Sequence, residues 1–121
     1  MVVALAAFEE ELADRLGRLR PLVDHLPDNA MGTHPKMVHD LFRELHSLKG
    51  AANLLGFHLL GGIAHRLEDL LAKVRDREVT VDGAVRSALR TGVDQIERLG
   101  ESLYGQEEDD GEGLAQGDEP P

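Results

Sequence analysis

The sequence predicts an all-α fold, an up-down antiparallel bundle of four helices. Apolar residues recur at spacings of three and four in four successive segments, which is the period of an amphipathic helix. The runs of β-branched and aromatic residues that are typical of strands are missing. Because the connections between the segments are short, neighbouring helices should run antiparallel.

The composition fits one domain with an aliphatic core. The chain has 121 residues, of which 41% are hydrophobic, and this length favours a single domain. Aromatic bulk is scarce, with three Phe, one Tyr and no Trp. Leu, Val and Ala must therefore fill the core.

The first helix is predicted over residues 2–26. Pro21 interrupts this segment, and its ring should clash with the carbonyl four residues earlier. We therefore expect a kink near Leu19 or a restart of the helix. The apolar stripe consists of Phe8, Leu12, Leu16, Leu19, Val23 and Leu26.

A loop is predicted over residues 27–34, where Pro, Asp, Asn and Gly cluster. The second helix follows over residues 35–55, and Pro35 suits its first turn because no intrahelical bond needs the missing N–H. Gly56 should end this helix, since glycine tolerates the positive φ of a C-terminal cap. The apolar stripe consists of Val38, Leu41, Leu45, Leu48, Ala52 and Leu55.

The third helix is predicted over residues 58–76. Gly61 and Gly62 are unusual there, because each glycine inside a helix costs roughly 1 kcal/mol relative to alanine. Either another group approaches this segment closely or the helix begins later. The residues predicted to face inward are Leu60, Ile63, Leu67, Leu70 or Leu71, and Val74.

The fourth helix is predicted over residues 81–104, with Thr80 as its N-terminal cap. Residues 105–121 are mostly acidic and contain Gly, Gln and Pro, a composition that cannot offset the entropy of ordering the chain. We therefore expect a helical bundle over residues 1–104 and an acidic flexible tail or linker over residues 105–121. The stripe of the fourth helix consists of Val81, Val85, Leu89, Val93, Ile96, Leu99 and Leu103.

The charge and the residue types exclude several classes of function. A net charge of −10 argues against nucleic acid and against anionic membrane surfaces as partners, since both require a basic face. The absence of cysteine excludes disulfides and thiolate catalysis. No apolar run approaches the roughly 20 residues of a membrane-spanning helix. The apolar start lacks the basic residues of a signal peptide, so we expect a cytoplasmic protein.

A histidine face on the second and third helices is the candidate functional site. Lys49 and Gly50 follow His46 by three and four residues, so the three share one face of the second helix. On the third helix Glu68 follows His65 by three residues. His46 and His65 both lie about 14 Å from the turn that joins the helices, at 1.5 Å per residue. The two faces should therefore lie side by side.

Side-chain direction should bring His46 and Glu68 together. Because Cβ atoms lean toward the N-terminus of a helix, His46 leans away from the turn and Glu68 leans back toward it. The carboxylate can then accept a hydrogen bond from the imidazole Nδ1–H and leave Nε2 unprotonated as a nucleophile. The Lys49 ammonium can bind phosphoryl oxygens, and Gly50 removes bulk that would block a partner's active site.

Each of these residues also has a plainer interpretation. A helical His46 or Lys49 is commonly a solvated surface residue, His65 and Glu68 can be an ordinary surface pair, and Gly50 can be a packing glycine. What favours a functional interpretation is their conjunction on one surface between two helices.

Two segments resemble a known family. Residues 46–57 fit H-x-L-K-G-x-A-x-x-x-G-F and residues 64–69 fit A-H-x-L-E-D. Both resemble the histidine phosphotransfer (HPt) domain, in particular the P1 domain at the N-terminus of CheA-type chemotaxis histidine kinases. The similarity extends over about residues 5–104. Some members of that family carry a short fifth helix, and no segment of this sequence is assigned to one.

The resemblance implies that His46 is the phosphorylated residue, that Glu68 is its hydrogen-bond partner, and that Lys49, His65 and Gly50 support the site. It implies two partners, the ATP-binding domain of a histidine kinase and the CheY-like receiver domain of a response regulator. Those partners would use ATP and Mg²⁺, whereas this chain is expected to bind no cofactor or metal and to have no catalytic activity alone.

Two alternative functions remain open from the sequence. His46, His65 and Glu68 are competent ligands for zinc or iron, so the bundle can instead hold a metal. The chain can also be a docking bundle that has kept the fold without phosphotransfer, although the presence of His46, Lys49 and Glu68 argues against this.

Overall fold

A computed structural model describes residues 2–27 and 35–116, with side chains described for residues 3–27 and 35–103. Most of the predicted loop 27–34 and the last five residues lie outside this part. The described residues form four helices and no strand: α1 (Val2–His25), α2 (Pro35–Leu54), α3 (His58–Arg75) and α4 (Gly83–Gln116). The predicted all-α fold is confirmed. None of these helices combines the length and apolar content that a membrane crossing requires.

Each helix packs against two neighbours. α1 contacts α2 and α4, and α3 contacts α2 and α4, while the diagonal pairs make no close backbone approach within the described residues. This is the pattern of an up-down four-helix bundle. The contact between α2 and α3 is the most extensive, and these are the two helices that carry the predicted site.

The core is aliphatic, as the composition predicts. Of the described aromatic side chains, Phe8 alone is fully buried. On α3 the structure buries Leu71 and leaves Leu70 only partly buried, which settles the alternative left by the sequence. The buried aliphatic residues are Leu5, Leu12, Leu19, Val23, Leu26, Val38, Leu41, Leu45, Leu48, Ala52, Leu60, Ile63, Ala64, Leu67, Leu71, Val74, Val81, Val85, Leu89, Val93 and Ile96.

α1 continues through Pro21, so the predicted restart does not occur. Contacts with α4 hold this part of the helix on both sides of the proline. Arg20 forms ion pairs with two carboxylates of α4. Arg86 of α4 donates hydrogen bonds to the backbone carbonyls of Val23 (3.3 Å) and Leu26, near the end of α1. These tertiary contacts offset the local cost of a proline inside a helix.

The cap of α4 is Asp82 and not Thr80, so that prediction was wrong. The Asp82 carboxylate accepts a hydrogen bond from the Val85 N–H at 2.9 Å, which satisfies one of the unpaired donors of the first turn. The predicted start at residue 81 was too early because Val81 continues the apolar stripe of the helix. Val81 is buried, but it precedes the first helical residue, Gly83.

α4 ends at Gln116, later than the predicted end at residue 104. The prediction ended the helix where the apolar stripe ends. Backbone hydrogen bonding does not require such a stripe, and the Glu and Gln residues beyond 104 have good helix propensity. The division into a bundle over 1–104 and a flexible tail over 105–121 stays a prediction.

Candidate functional site

The turn between α2 and α3 sets the register of the two helices. Gly56 has a φ of +85°, which glycine adopts without steric cost. The Phe57 N–H donates to the Ala52 carbonyl at 2.8 Å, and the Gly56 N–H donates to the Asn53 carbonyl at 3.1 Å. These paired bonds form a Schellman motif, which ends a helix. The predicted end of the second helix at Gly56 is confirmed, and α3 begins at His58.

Close approach explains one glycine of the Gly61-Gly62 pair. A Cβ atom at Gly61 would overlap the side-chain amide of Asn53 on α2, whereas a Cβ atom at Gly62 would meet nothing within 4 Å. The helix does not begin late, because His58 is already helical. The absent side chain of Gly61 therefore lets α2 and α3 pack closely, next to the turn that leads into the site.

A buried carboxylate joins the two helices at the candidate site. Glu68 of α3 is the one buried polar or charged residue of the described chain, and 7% of its side chain is exposed. One carboxylate oxygen contacts His46 Nδ1 and the other accepts a hydrogen bond from Lys49 Nζ at 2.6 Å. The structure thus brings three of the predicted site residues into direct contact.

The charge state of Glu68 fixes the tautomer of His46. Burial raises the pKa of Glu68, but the hydrogen bonds from Lys49 and His46 and the positive charge of Lys49 outweigh burial and hold this pKa below its ordinary value. The carboxylate is therefore ionised at neutral pH and acts only as an acceptor. His46 Nδ1 must carry the proton, which leaves Nε2 with a lone pair in the neutral ring. The His46 side chain is 63% exposed.

Lys49 and Gly50 occupy different environments although they are adjacent. The Lys49 side chain is 23% exposed and forms an ion pair with Glu68, a contact that the sequence pattern did not predict. Gly50 is exposed, and a Cβ atom there would meet nothing within 4 Å. No neighbour in the described chain requires a glycine at this position, which argues against the packing interpretation of Gly50.

His65 lies beside the site and pairs with its own helix. Its Nε2 is 3.5 Å from the Asp69 carboxylate, one turn further along α3. Among the described residues, the ligand atoms of His65, Glu68 and Asp69 lie within 4.8 Å of one another, close enough for a metal ion. Both oxygens of Glu68 already accept a hydrogen bond, so a metal ion would compete with the Lys49 ammonium and the His46 imidazole for this carboxylate. The geometry favours a hydrogen-bonded imidazole over a metal centre.

Sequence reasoning missed Phe42, which contacts His46, and Arg75, which contacts Phe42. The Phe42 ring stacks with the His46 imidazole, with 6.1 Å between ring centroids and 8° between ring planes. The Arg75 guanidinium from the end of α3 lies over the same Phe42 ring, 5.3 Å from its centroid. The four-residue spacing of Phe42 and His46 on one helix was the available signal.

Comparisons with known proteins show the family of the chain. The sequence model of the Hpt domain family matches residues 3–99. The chain is 38% identical over 105 residues to the chemotaxis protein CheA of Treponema pallidum (strain Nichols), an alignment that covers 83% of this chain and 13% of that protein. It is 35% identical over 101 residues to the gliding motility regulatory protein of Myxococcus xanthus, covering 84% and 12%. The chain spans about an eighth of the length of these relatives.

Two solved structures share the fold and part of the sequence. The CheA phosphotransferase domain from Thermotoga maritima superposes with a TM-score of 0.75 at 28% identity, covering 83% of this chain and 93% of that domain. The solution structure of a histidine phosphotransfer domain of CheA gives a TM-score of 0.79 at 27% identity, covering 88% of this chain and 78% of that one.

The low pKa of Glu68 predicts a specific loss of stability in acid. An ionised Glu68 stabilises the fold above its unfolded pKa of about 4.3, and this contribution disappears as the pH falls through the lower folded pKa. The gap in unfolding free energy between wild type and Glu68→Gln should therefore be widest above about pH 5 and narrow below it. Urea denaturation across this range measures the gap. The exposed Glu10→Gln should show no such narrowing, and parallel curves for wild type and Glu68→Gln would contradict the assignment.

Proposed function

Because this chain belongs to the Hpt domain family, we propose that it is the phosphoryl-carrying domain of a phosphorelay and that His46 is the acceptor. The observation that carries the proposal is the contact between His46 Nδ1 and the buried carboxylate of Glu68. This contact supports the tautomer of the exposed imidazole that carries its proton on Nδ1, in which the Nε2 lone pair is free to attack phosphorus.

Neither of the two transfer steps requires a general base, because no proton leaves the imidazole ring. The Nε2 lone pair bonds to the γ-phosphorus of ATP while the bond from that phosphorus to the bridging oxygen breaks and ADP leaves. The Nδ1 proton stays on the ring, which becomes a cation hydrogen-bonded to Glu68. In the second step a carboxylate oxygen of an aspartate attacks the phosphorus, the phosphorus–nitrogen bond breaks, and its electron pair returns to Nε2.

Lys49, Gly50 and His65 support this transfer in different ways. Lys49 uses one N–H for Glu68 and has two further N–H donors for the phosphoryl oxygens. Gly50 leaves open space beside the acceptor for the active site of a partner. His65, oriented by Asp69, is an accessory group at the edge of the site.

The partners of this proposal are two separate domains. The ATP-binding domain of a CheA-type histidine kinase loads His46, and the receiver domain of a response regulator removes the phosphoryl group. These partners bring ATP and Mg²⁺, and the chain itself supplies the carrier. The relatives are chemotaxis proteins and a gliding motility regulatory protein, which supports a cytoplasmic relay in chemotaxis or motility.

The first experiment tests the acceptor. His46→Gln should abolish phosphorylation by a CheA-type kinase core and ATP, because it removes the nucleophilic nitrogen while its amide can still donate to Glu68. Intact-mass analysis should find one acid-labile phosphate on wild type and none on the variant, with unchanged helicity by circular dichroism. His39→Gln, an exposed histidine of the same helix, should be phosphorylated like wild type. A phosphate retained on His46→Gln would refute the assignment.

Glu68→Ala should slow phosphorylation without blocking it, by about 10- to 100-fold if the loss resembles that of a partner that orients a metal-bound imidazole. Without the carboxylate acceptor, the imidazole proton is free to occupy either nitrogen. ¹⁵N chemical shifts of the His46 ring should accordingly change from a dominant Nδ1–H form to a mixture. An unchanged rate together with an unchanged tautomer would remove Glu68 from the mechanism, and Glu10→Ala serves as the control.

Substitutions at Gly50 should separate stability from access. Gly50→Ala and Gly50→Gln should both raise the free energy of unfolding, by up to about 1 kcal/mol, because glycine is a poor helix former. Gly50→Gln should nevertheless slow loading by the kinase, since its side chain fills the space beside His46. The exposed Gly17, which also has nothing near its missing Cβ, provides the matched control: Gly17→Gln should not slow loading. Urea denaturation and initial rates measure both effects, and equal loading rates for the two Gln variants would count against the access role.

A further inference from the structure

The hydrogen bond to Glu68 restrains only part of the His46 ring. It holds one ring atom, and the torsion that turns an imidazole about its Cβ–Cγ bond has broad minima. The side chain is also 63% exposed, so solvent surrounds much of the ring. A second contact is required to hold the ring plane.

Phe42 provides that contact from the same helix. It precedes His46 by one turn, and a helical side chain leans over the turn on its N-terminal side. The two rings are nearly parallel, at 8°, with centroids 6.1 Å apart, which is within the range of offset stacking. The flat face of the Phe42 ring therefore limits rotation of the imidazole out of its plane.

Phe42 is itself held from two sides. It is partly buried and packs against the hydrophobic core. The Arg75 guanidinium carbon lies 5.3 Å from the Phe42 centroid, in a cation–π contact. Asp76 accepts hydrogen bonds from two nitrogens of Arg75, at 3.0 and 3.4 Å, and keeps the guanidinium in place. The end of α3 thus fixes a ring of α2, which in turn faces His46.

We propose that Phe42 is a positioning residue that sets the direction of attack by His46. The Nε2 lone pair lies in the plane of the imidazole, so the ring plane decides where that pair points. Glu68 determines which nitrogen carries the proton, and Phe42 determines the plane. Alignment of this pair with the phosphorus–oxygen bond that breaks is required for in-line transfer. The inference rests on the proposed function, in which His46 is the phosphoryl acceptor.

Phe42→Leu tests this role, because leucine keeps an apolar side chain but has no flat face. Its kcat for phosphorylation by a CheA-type kinase core should fall about 10-fold with little change in KM, since a misaligned nucleophile reacts slowly once bound. Phe42→Tyr should restore the rate to within about twofold of wild type, because it keeps the ring. Phe57→Leu makes the same exchange at a ring that contacts Phe8 beyond the end of α2, and it should leave kcat unchanged.

Nuclear magnetic resonance tests the positioning without a kinase. Scalar couplings and relaxation of the His46 side chain should report one rotamer in wild type, Phe42→Tyr and Phe57→Leu, and averaging in Phe42→Leu. If Phe42→Leu does not fold, Phe42→Met replaces it, because an unbranched thioether adapts to a partly buried site.

The outcomes separate the two proposals. An unchanged kcat in Phe42→Leu, or in Phe42→Met if it replaces Phe42→Leu, overturns the positioning role. An effect confined to KM overturns it as well. If wild type itself is not phosphorylated at His46, the proposed function fails. The rotamer measurement then still decides whether Phe42 orients the His46 ring. A single His46 rotamer in Phe42→Leu, or in Phe42→Met if it replaces Phe42→Leu, would show that it does not.

Discussion

Glu68 carries the buried charge of the described core, and the geometry around it follows from the need to compensate that charge. An ionised carboxylate removed from water is costly unless donors replace its hydration. Lys49 and His46 supply those donors, one to each oxygen. Both donors lie on α2 and the acceptor lies on α3, so the compensation of one charge fixes how these two helices face each other.

The rest of the bundle keeps that pair of helices in register. The Schellman motif at Gly56 and the close packing of Gly61 against Asn53 set the start of α3 relative to α2. α1 is tied to α2 by the ion pairs of Arg15 and Arg18 with Glu44, which are 2.8 to 2.9 Å long. Such partly exposed pairs contribute little stability individually. They add specificity to an aliphatic core that is itself compatible with small shifts between helices.

Periodicity predicted the four helices, and distance from the turn together with side-chain direction predicted that His46 and Glu68 meet, because all three depend on regular helix geometry. The errors have a different origin. Of the two local expectations at Pro21, a kink or a restart, the restart failed because Arg86, more than 60 residues away in sequence, holds the end of α1. The hydrogen bond of Lys49 to Glu68 and the stacking of Phe42 on His46 were not predicted, because each side chain has several possible partners. Such choices depend on burial and charge in three dimensions, which the apolar pattern of a single helix does not contain.

In the proposed function, the hydrogen bond between His46 and Glu68 is present both before and after loading, and only the contacts of Lys49 change. Under this proposal, the neutral His46 ring keeps its Nδ1 proton when Nε2 is phosphorylated, so the hydrogen bond to Glu68 persists and becomes charge-assisted on both sides. The positive charge of the loaded ring then balances Glu68, and Lys49 has less need to do so. Lys49 can turn its donors toward the phosphoryl group without leaving a buried carboxylate uncompensated. Under this proposal, loading and unloading both take place at the imidazole that Glu68 holds, and the two proposed partner domains differ in the group that they present to it.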